Sequence, residues 1–385
     1  MRFYYRCTEC GKNFEISPKL MLCPECYKKQ DATKPLRGIL EVGLEGEISE
    51  NWLIEDLMPI SKDFYPEIPV GNTPLWKSKN LNKHNNVENI YLKDDTRNPT
   101  GSLKDRASYL VAAFALKYNI REIALASTGN AASSMAGIGA ATNLDITIFL
   151  PETAPKAKMV QSLQYGANVI PCAGPYDNAY EMSLEYTNRK KNVLSRNTAY
   201  NPLTIEGKKT AALEVFKQLG KVPDYVFVPT GDGVVIGGVF KGFKDLMQFG
   251  LINKMPEIIA VQARDSSAIH SALKIGKFQQ KSVRTIADSI SVEIPRNGYY
   301  VLKQMKKYNG KSITVTDNEI LTAQKELSSV AGLFAEPAAS ASYAGYKKLK
   351  NEIENDKDVV LLITGNGLKD IDAAMKKIEF PDMGY

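Results

Sequence analysis

Short apolar runs recur between helical stretches along most of this chain. Val359-Val-Leu-Leu-Ile363 has no polar residue, and Ile258-Ile-Ala-Val-Gln262 has one, at its end. A half-buried strand alternates polar with apolar residues, so five apolar residues in a row need cover on both faces. Similar short runs fall at 89–93, 123–126, 146–150, 168–170 and 225–228. Helical patterns are predicted at 107–116, 131–141, 156–165, 176–189, 206–219, 236–249 and 337–350. Thr316-Asp-Asn-Glu319 has the form of a capping box and should open a further helix running to 331. Strands alternating with helices in this way predict an α/β fold built on parallel sheets. The units fall into two groups. They suggest a smaller α/β domain at about 105–200 and a larger one made of about 70–104 and 201–380. Ligands of such sheets bind outside the carboxyl ends of the strands, so the loops that follow strands are where function is expected.

The N-terminal segment, residues 1–30, is of another kind. Cys7-x2-Cys10 is followed by Cys23-x2-Cys26. Each pair is a tight turn that aims two sulfurs at one point, and two such turns make a closed tetrahedral site for structural Zn2+. The alternatives are a ribbon without metal or a redox pair. Residues 31–69 read as a connector, with several prolines, little periodicity and a charged stretch around 45–56. Residues 70–75 (Val-Gly-Asn-Thr-Pro-Leu) read as a turn. Cys172 stands alone and reads as a small buried apolar residue.

Charge and cysteine usage narrow the function classes. The 49 basic and 43 acidic residues leave a net charge of +6 spread along the chain, a poor footprint for nucleic acid. No apolar run is long enough to cross a bilayer, which argues against a membrane protein. Paired cysteines of the metal-binding type suit a reducing compartment, and cytoplasmic location is expected. His84 and His270 are the only histidines, which disfavours histidine-based catalysis.

Four loops after strands carry chemistry. In the first, Asn98-Pro-Thr-Gly-Ser-Leu-Lys104-Asp-Arg, turn formers precede a lysine at a helix start. A lysine held there and partly desolvated can lose its proton and form an imine with a carbonyl. The second, Ser127-Thr-Gly-Asn130-Ala, offers hydroxyls, an amide and exposed N–H groups that favour a carboxylate, or it is a plain helix cap. The third, Gly231-Asp-Gly-Val-Val235, lets backbone amides curl round a phosphate. It lacks the lysine and hydroxyl of a Walker loop and breaks the Gly-x-Gly-x-x-Gly pattern. The fourth, Thr364-Gly-Asn-Gly, puts a hydroxyl where a ring nitrogen could meet it. An imine lysine, a phosphate cup, an amide for a phenolic oxygen and a hydroxyl for a pyridine nitrogen are the groups pyridoxal phosphate needs.

These motifs resemble those of the fold-type-II pyridoxal-phosphate enzymes, the tryptophan synthase β-like group, and within it the threonine synthase family. Asp288-Ser-Ile-Ser-Val-Glu-Ile-Pro-Arg296-Asn, Phe334-Ala-Glu-Pro-Ala and Thr364-Gly-Asn-Gly-Leu-Lys-Asp are also similar to family segments, and the resemblance spans roughly 68–375. It implies that Lys104 holds the cofactor and moves protons, that Asn130 meets the phenolic oxygen, and that Thr364 faces the ring nitrogen. The amides of Gly231, Asp232, Gly233, Val234 and Val235 would hold the phosphate. Ser127 and Thr128 would receive the substrate carboxylate. Lys93 and Ser102 are candidates for a substrate phosphate, and Arg296 and Arg106 are further cations to consider. Two departures stand out: Leu103 replaces a common Phe, and the cup lacks the usual asparagines while bringing in Asp232.

The activity implied is conversion of O-phosphohomoserine and water to threonine and phosphate by a homodimer. The alternatives are a serine/threonine dehydratase, a diaminopropionate ammonia-lyase, a cysteate synthase-like enzyme, or a non-catalytic binding protein on the same fold.

Overall fold

The computed structural model describes residues 1–154, 156–280 and 282–378, so the expected end of the larger domain at 380 lies outside the described residues. At the N-terminus, β1 (Arg2–Cys7), β2 (Asn13–Phe14) and β3 (Leu40–Glu45) form an antiparallel sheet in the order β2-β1-β3, with one helical turn, α1 (Pro24–Tyr27), between β2 and β3. The strand β3 lies within the stretch expected to be a connector of little periodicity. Leu40, Val42 and Leu44 are buried while Glu41, Gly43 and Glu45 are not, which is a period-two strand pattern over six residues. It pairs with every residue of β1 and so joins the cysteine segment to the rest of the molecule.

The remaining chain runs β4 (Leu75–Lys77), α2 (Lys79–Asn85), β5 (Ile90–Asp94), α3 (Lys104–Lys117), β6 (Glu122–Ala126), α4 (Asn130–Ala140), β7 (Asp145–Pro151), α5 (Lys156–Gln164), β8 (Asn168–Cys172), α6 (Tyr176–Arg189) and β9 (Val193–Ser195). It continues through α7 (Leu203–Leu219), β10 (Tyr225–Pro229), α8 (Val234–Gln248), β11 (Glu257–Ala263), α9 (Ala268–Ile275), α10 (Gly298–Lys307), β12 (Lys311–Val315), α11 (Asp317–Ala331), α12 (Pro337–Leu349), β13 (Val359–Ile363) and α13 (Ile371–Met375). One sheet has the order β12-β11-β10-β13-β5-β4 and the other β8-β7-β6-β9. All neighbours in both are parallel except β4, which runs antiparallel to β5.

The apolar run 359–363 forms β13 between β10 and β5, and each of its residues is buried. That is the double cover its composition called for. Three strands that the sequence pattern did not mark, β4, β9 and β12, are all edge strands. An edge strand has one neighbour and need not be apolar on both faces. The helix α11 opens as its capping box predicts. The Thr316 hydroxyl accepts from the Glu319 amide at 3.2 Å, and the Glu319 carboxylate accepts from the Thr316 amide at 2.6 Å. It ends at Gly332, whose φ of +67° closes the last turn.

One apolar core runs unbroken from Tyr5, Leu40, Val42 and Leu44 of the N-terminal sheet to Phe240 and Phe243 of α8 and Tyr300 of α10. The N-terminal segment is thus packed onto the larger sheet's helices, with Gln248 Nε2 donating to the Leu44 carbonyl at 2.7 Å and Lys244 paired with Glu41. Among the described residues no helix is long and apolar enough to cross a membrane.

Candidate active site

The loop that delivers Lys104 is zipped to the loop that follows β13. Ser102 bridges Gly365, the Leu103 amide donates to the Thr364 carbonyl at 2.9 Å, and the Asn366 amide donates to the Gly101 carbonyl at 2.9 Å. Lys104 is the first residue of α3, so its backbone is held at both ends, by the bridge before it and by the helix after it. Lys104 and Thr364 line one small cavity, together with Asn130, Gly231, Asp232, Val235, Ser289 and Glu336. Residues from six segments, 260 positions apart at the extremes, therefore converge at the carboxyl ends of both parallel sheets.

The turn 231–235 has the shape of a cradle. A Cβ on Gly231 would sit 2.8 Å from Ile290 Cα, and Gly233 has φ +88°, a conformation glycine adopts without strain. The Val234 amide at the start of α8 donates to Asp232 Oδ1 at 2.9 Å, an Asx-type turn that takes up the helix's first amide. Asn297 clamps the turn from outside, its amide donating to the Asp232 carbonyl and its Nδ2 to the Gly233 carbonyl, both at 3.0 Å.

Asn130 opens α4 and donates through Nδ2 to Glu336 Oε2 at 2.9 Å and Oε1 at 3.1 Å, with the Ser289 hydroxyl 3.2 Å away. Glu336 is buried at the start of α12, where its amide donates to the Gly365 carbonyl. Burial pushes its carboxyl above the usual range, against the Asn130 hydrogen bond and the charges of Lys369 and Lys104. A cleft beside the cavity shares Asn130, Ser289 and Glu336 with it and adds Lys369, Ser133 and Gln161. The Lys369 ammonium donates to the Thr100 carbonyl at 2.9 Å, Ser133 Oγ at 3.1 Å and Gln161 Oε1 at 2.7 Å.

Several expected substrate contacts lie elsewhere. Lys93 does not reach the cavity. It is fully buried, donating to the Thr73 carbonyl and Glu214 Oε2 at 2.6 Å each and to Gln218 Oε1 at 2.9 Å. Arg106 is committed to the same network through Asp95 and Glu214. Both positions follow from β5, α3 and α7 meeting in the interior, where cations must be paired. Ser102 is fully buried in the bridge to Gly365, its hydroxyl accepting from the Lys104 amide at 3.4 Å. Arg296 is paired with Asp177 and lies over the Tyr180 ring, 4.7 Å from its centroid. From the loop 127–131, Gly129 and Asn130 form the cleft wall. The Ser127 hydroxyl instead accepts from the Gly129 amide at 3.2 Å, and Thr128 is half-buried beside it.

Glu336, Ser289 and Lys369 sit in segments that the sequence reading had singled out, but without a role for them. Arg196 and Lys208, two buried cations near Lys104, lie in no motif at all.

Far from the cavity, the sulfurs of Cys7, Cys10, Cys23 and Cys26 all lie within 4.8 Å of one another, with Cys7–Cys26 at 3.7 Å and Cys10–Cys23 at 3.8 Å. Sulfurs about 2.3 Å from a tetrahedral zinc would stand roughly 3.8 Å apart, so the four are placed for a metal. All five cysteines are free thiols.

Comparison with known proteins agrees with this geometry. The family described as "Pyridoxal-phosphate dependent enzyme" matches residues 67–365. A threonine synthase of Methanocaldococcus jannaschii is 33% identical over 98% of this chain and 95% of its own length. One of Halalkalibacterium halodurans is 35% identical over 83% of this chain and 90% of its own. Among solved structures, threonine deaminase isoform 2 of Solanum lycopersicum superposes with a TM-score of 0.68 at 23% identity, covering 79% of this chain and 86% of that one. A fungal L-serine ammonia-lyase from Rhizomucor miehei superposes with a TM-score of 0.67 at 22% identity, covering 80% and 99%. These superpositions speak for the fold, and the sequence matches speak for the family. The chain belongs to the pyridoxal-phosphate-dependent enzymes of fold type II, in the threonine synthase family.

Proposed function

We propose that this enzyme converts O-phosphohomoserine and water to threonine and phosphate. The observation that carries the reading is the placement of Lys104, clamped at a helix start in a cavity walled by the turn 231–235, Asn130 and Thr364. The residues present fit pyridoxal phosphate: a cradle that a Cβ would fill stands beside a lysine and an amide in a small polar cavity. In this reading Lys104, Asn130, Thr364 and the amides of Gly231, Asp232, Gly233 and Val235 hold the group, the Val234 amide expected to join them being taken up by Asp232 Oδ1. When bound, the cofactor supplies an electron sink for charge that develops at the substrate's α carbon.

The chain's own residues do the rest. Lys104, freed from holding the cofactor, takes the proton from the α carbon and then moves protons so that phosphate leaves the γ carbon and water adds at the β carbon. The start of α4, with Ser127 and Thr128 leading into it, orients the substrate carboxylate, since exposed amides at a helix start favour an anion. Thr364 is a neutral hydroxyl, so it aligns a ring nitrogen without carrying charge to it. Glu336, through its bonds to Asn130 Nδ2, fixes which face of that amide meets the ligand. The four cysteines hold a structural zinc, and cysteine pairs of this metal-binding type suit a cytoplasmic enzyme. A homodimer belongs to the same proposal and is checked by light scattering.

The deciding experiment offers the purified holoenzyme O-phosphohomoserine, serine, threonine and phosphoserine in parallel. Threonine and phosphate should appear in equal amounts from the first. Ammonia from serine or threonine, with no phosphate from O-phosphohomoserine, would replace this reading with a dehydratase.

A further inference from the structure

A leaving phosphate needs cations, and Lys93, Arg106 and Arg296 are already paired with carboxylates. Two other buried cations have unpartnered donors. Arg196 follows β9 and is fully buried. Its Nε donates to the Ser108 hydroxyl at 3.2 Å and its NH1 to the Thr198 hydroxyl at 3.0 Å, while NH2 has no hydrogen-bond partner among the described residues. Lys208, on α7, is also fully buried, and its ammonium has no hydrogen-bond partner among the described residues. Neighbouring charges tie both to the cavity. Lys208 feels Lys104, Asp232 and Arg196, and Arg196 feels Asp232 and Asp105. Ser108, which accepts from Arg196, stands one helical turn beyond Lys104 on α3.

Burial, with the charges of Lys104 and Arg196, pushes the Lys208 amine well below the ordinary lysine value, and burial lowers Arg196 to about 10, so an arriving anion would favour the charged form of both. The anion should be doubly charged. Both buried basic side chains lie within electrostatic reach of Asp232, and one of them is a planar donor fork suited to phosphoryl oxygens. The carboxylate of an amino-acid substrate already has a place at the start of α4. Asp232 adds the converse argument, because it brings a negative charge into the phosphate cradle and caps the Val234 amide that would otherwise face the ligand. Cations on the adjacent elements would offset that charge.

We infer that Arg196 and Lys208 form the seat of a phosphoryl group beside Lys104 and Asp232, brought there by the cofactor or by a phosphorylated amino-acid substrate. The inference rests on the proposed reaction, and where the substrate brings the group it names the side chains that would select a phosphate ester over serine or threonine.

The test uses the holoenzyme in phosphate-free buffer, with inorganic phosphate titrated by calorimetry and cofactor retention followed by equilibrium dialysis. Variants are Lys208→Met and Arg196→Lys. Lys208→Met keeps the volume and removes an unpartnered amine, so its unfolding temperature should stay level or rise. If the substrate brings the phosphoryl group, inorganic phosphate binds the wild type and weakens at least tenfold in both variants, with cofactor retention unchanged. If the cofactor brings it, retention falls at least tenfold in both variants and inorganic phosphate does not distinguish them. Level phosphate binding together with level retention in both variants overturns the seat. So does a marked fall in the stability of Lys208→Met, which would reveal an ordinary structural lysine. An enzyme inactive on O-phosphohomoserine that still shows either tenfold loss would refute the reaction and leave the seat standing.

Discussion

Gly231 is where a single methyl group would intrude on the cradle. A Cβ there meets backbone, Ile290 Cα at 2.8 Å, and backbone cannot swing aside as a side-chain end can. Gly231→Ala should therefore lower affinity for pyridoxal phosphate at least tenfold, read by equilibrium dialysis, with little change in overall helix content by circular dichroism. Lys104→Ala should abolish turnover and the visible absorbance of bound cofactor. Retention of both would remove Lys104 from the chemistry. Glu336 was not assigned a role from sequence, since a glutamate before a proline at a helix start reads as a plain N-terminal residue. Its bonds to Asn130 give Glu336→Gln a specific expectation. An amide can satisfy Asn130 with one oxygen only, so the absorbance maximum of the bound cofactor should shift and turnover should fall roughly tenfold, the scale of one lost charge-assisted hydrogen bond. An unchanged spectrum would leave Glu336 with packing alone.

At the scale of elements, Glu214 of α7 ties β5 to α3 by accepting from Lys93 and Arg106, all three buried. Burial alone would push its carboxyl up. The charges and hydrogen bonds of Arg106 and Lys93 outweigh that and hold it at about 2. Lys93's own ammonium is pushed down by burial, with Glu214 only partly offsetting it, so Arg106 is the stronger anchor. Removing the carboxylate strands Lys93 and leaves Arg106 with Asp95 alone. Glu214→Gln should destabilise the fold by about 3–5 kcal/mol, measured as a lowered urea midpoint. The pH dependence follows from the direction of the shift. A depressed carboxyl contributes fully above its unfolded value near 4.5, and that contribution is lost as pH falls toward 2. The wild type should lose on the order of 3 kcal/mol across that window. Glu214→Gln, already lacking the charge, should show a flatter acid limb. Equal slopes for the two proteins would mean that the network does not depend on this ionisation.

At the scale of the whole molecule, the cysteine segment is part of the common core. Tyr5, Leu40, Val42 and Leu44 share one apolar cluster with α8 and α10, and Lys303 of α10 donates to the Thr8 carbonyl. The metal should therefore stabilise more than its own turns. The purified enzyme should carry one zinc per chain by elemental analysis. A strong chelator should speed amide exchange in residues 1–45 at least tenfold while β10 and β13 stay protected. Absence of zinc from protein made in zinc-replete medium would count against a structural site. Exchange unaltered by chelation would show that the apolar contacts alone hold the segment.

The chain's apolar strands, their alternation with helices and the four loops behind them were all legible without coordinates, because double-sided burial and loop chemistry leave local marks. The parallel sheets, the capping box of α11 and the pairing of four cysteines need only neighbours in sequence to be recognised. The edge strands β4, β9 and β12 left weaker marks, since an edge imposes little on composition, and β3 hid its alternation in a charged stretch. The choice among cations was beyond local reading altogether. Lys93 and Arg296 looked available, and both are paired; Arg196 and Lys208 lie in no motif, and both are buried with donors that have no hydrogen-bond partner among the described residues. Whether a charge is paired depends on what the fold brings from a hundred residues away, as Glu214 comes to Lys93. Local sequence therefore determined the cofactor chemistry of this protein, and tertiary structure alone decided which cations remain free to meet a ligand.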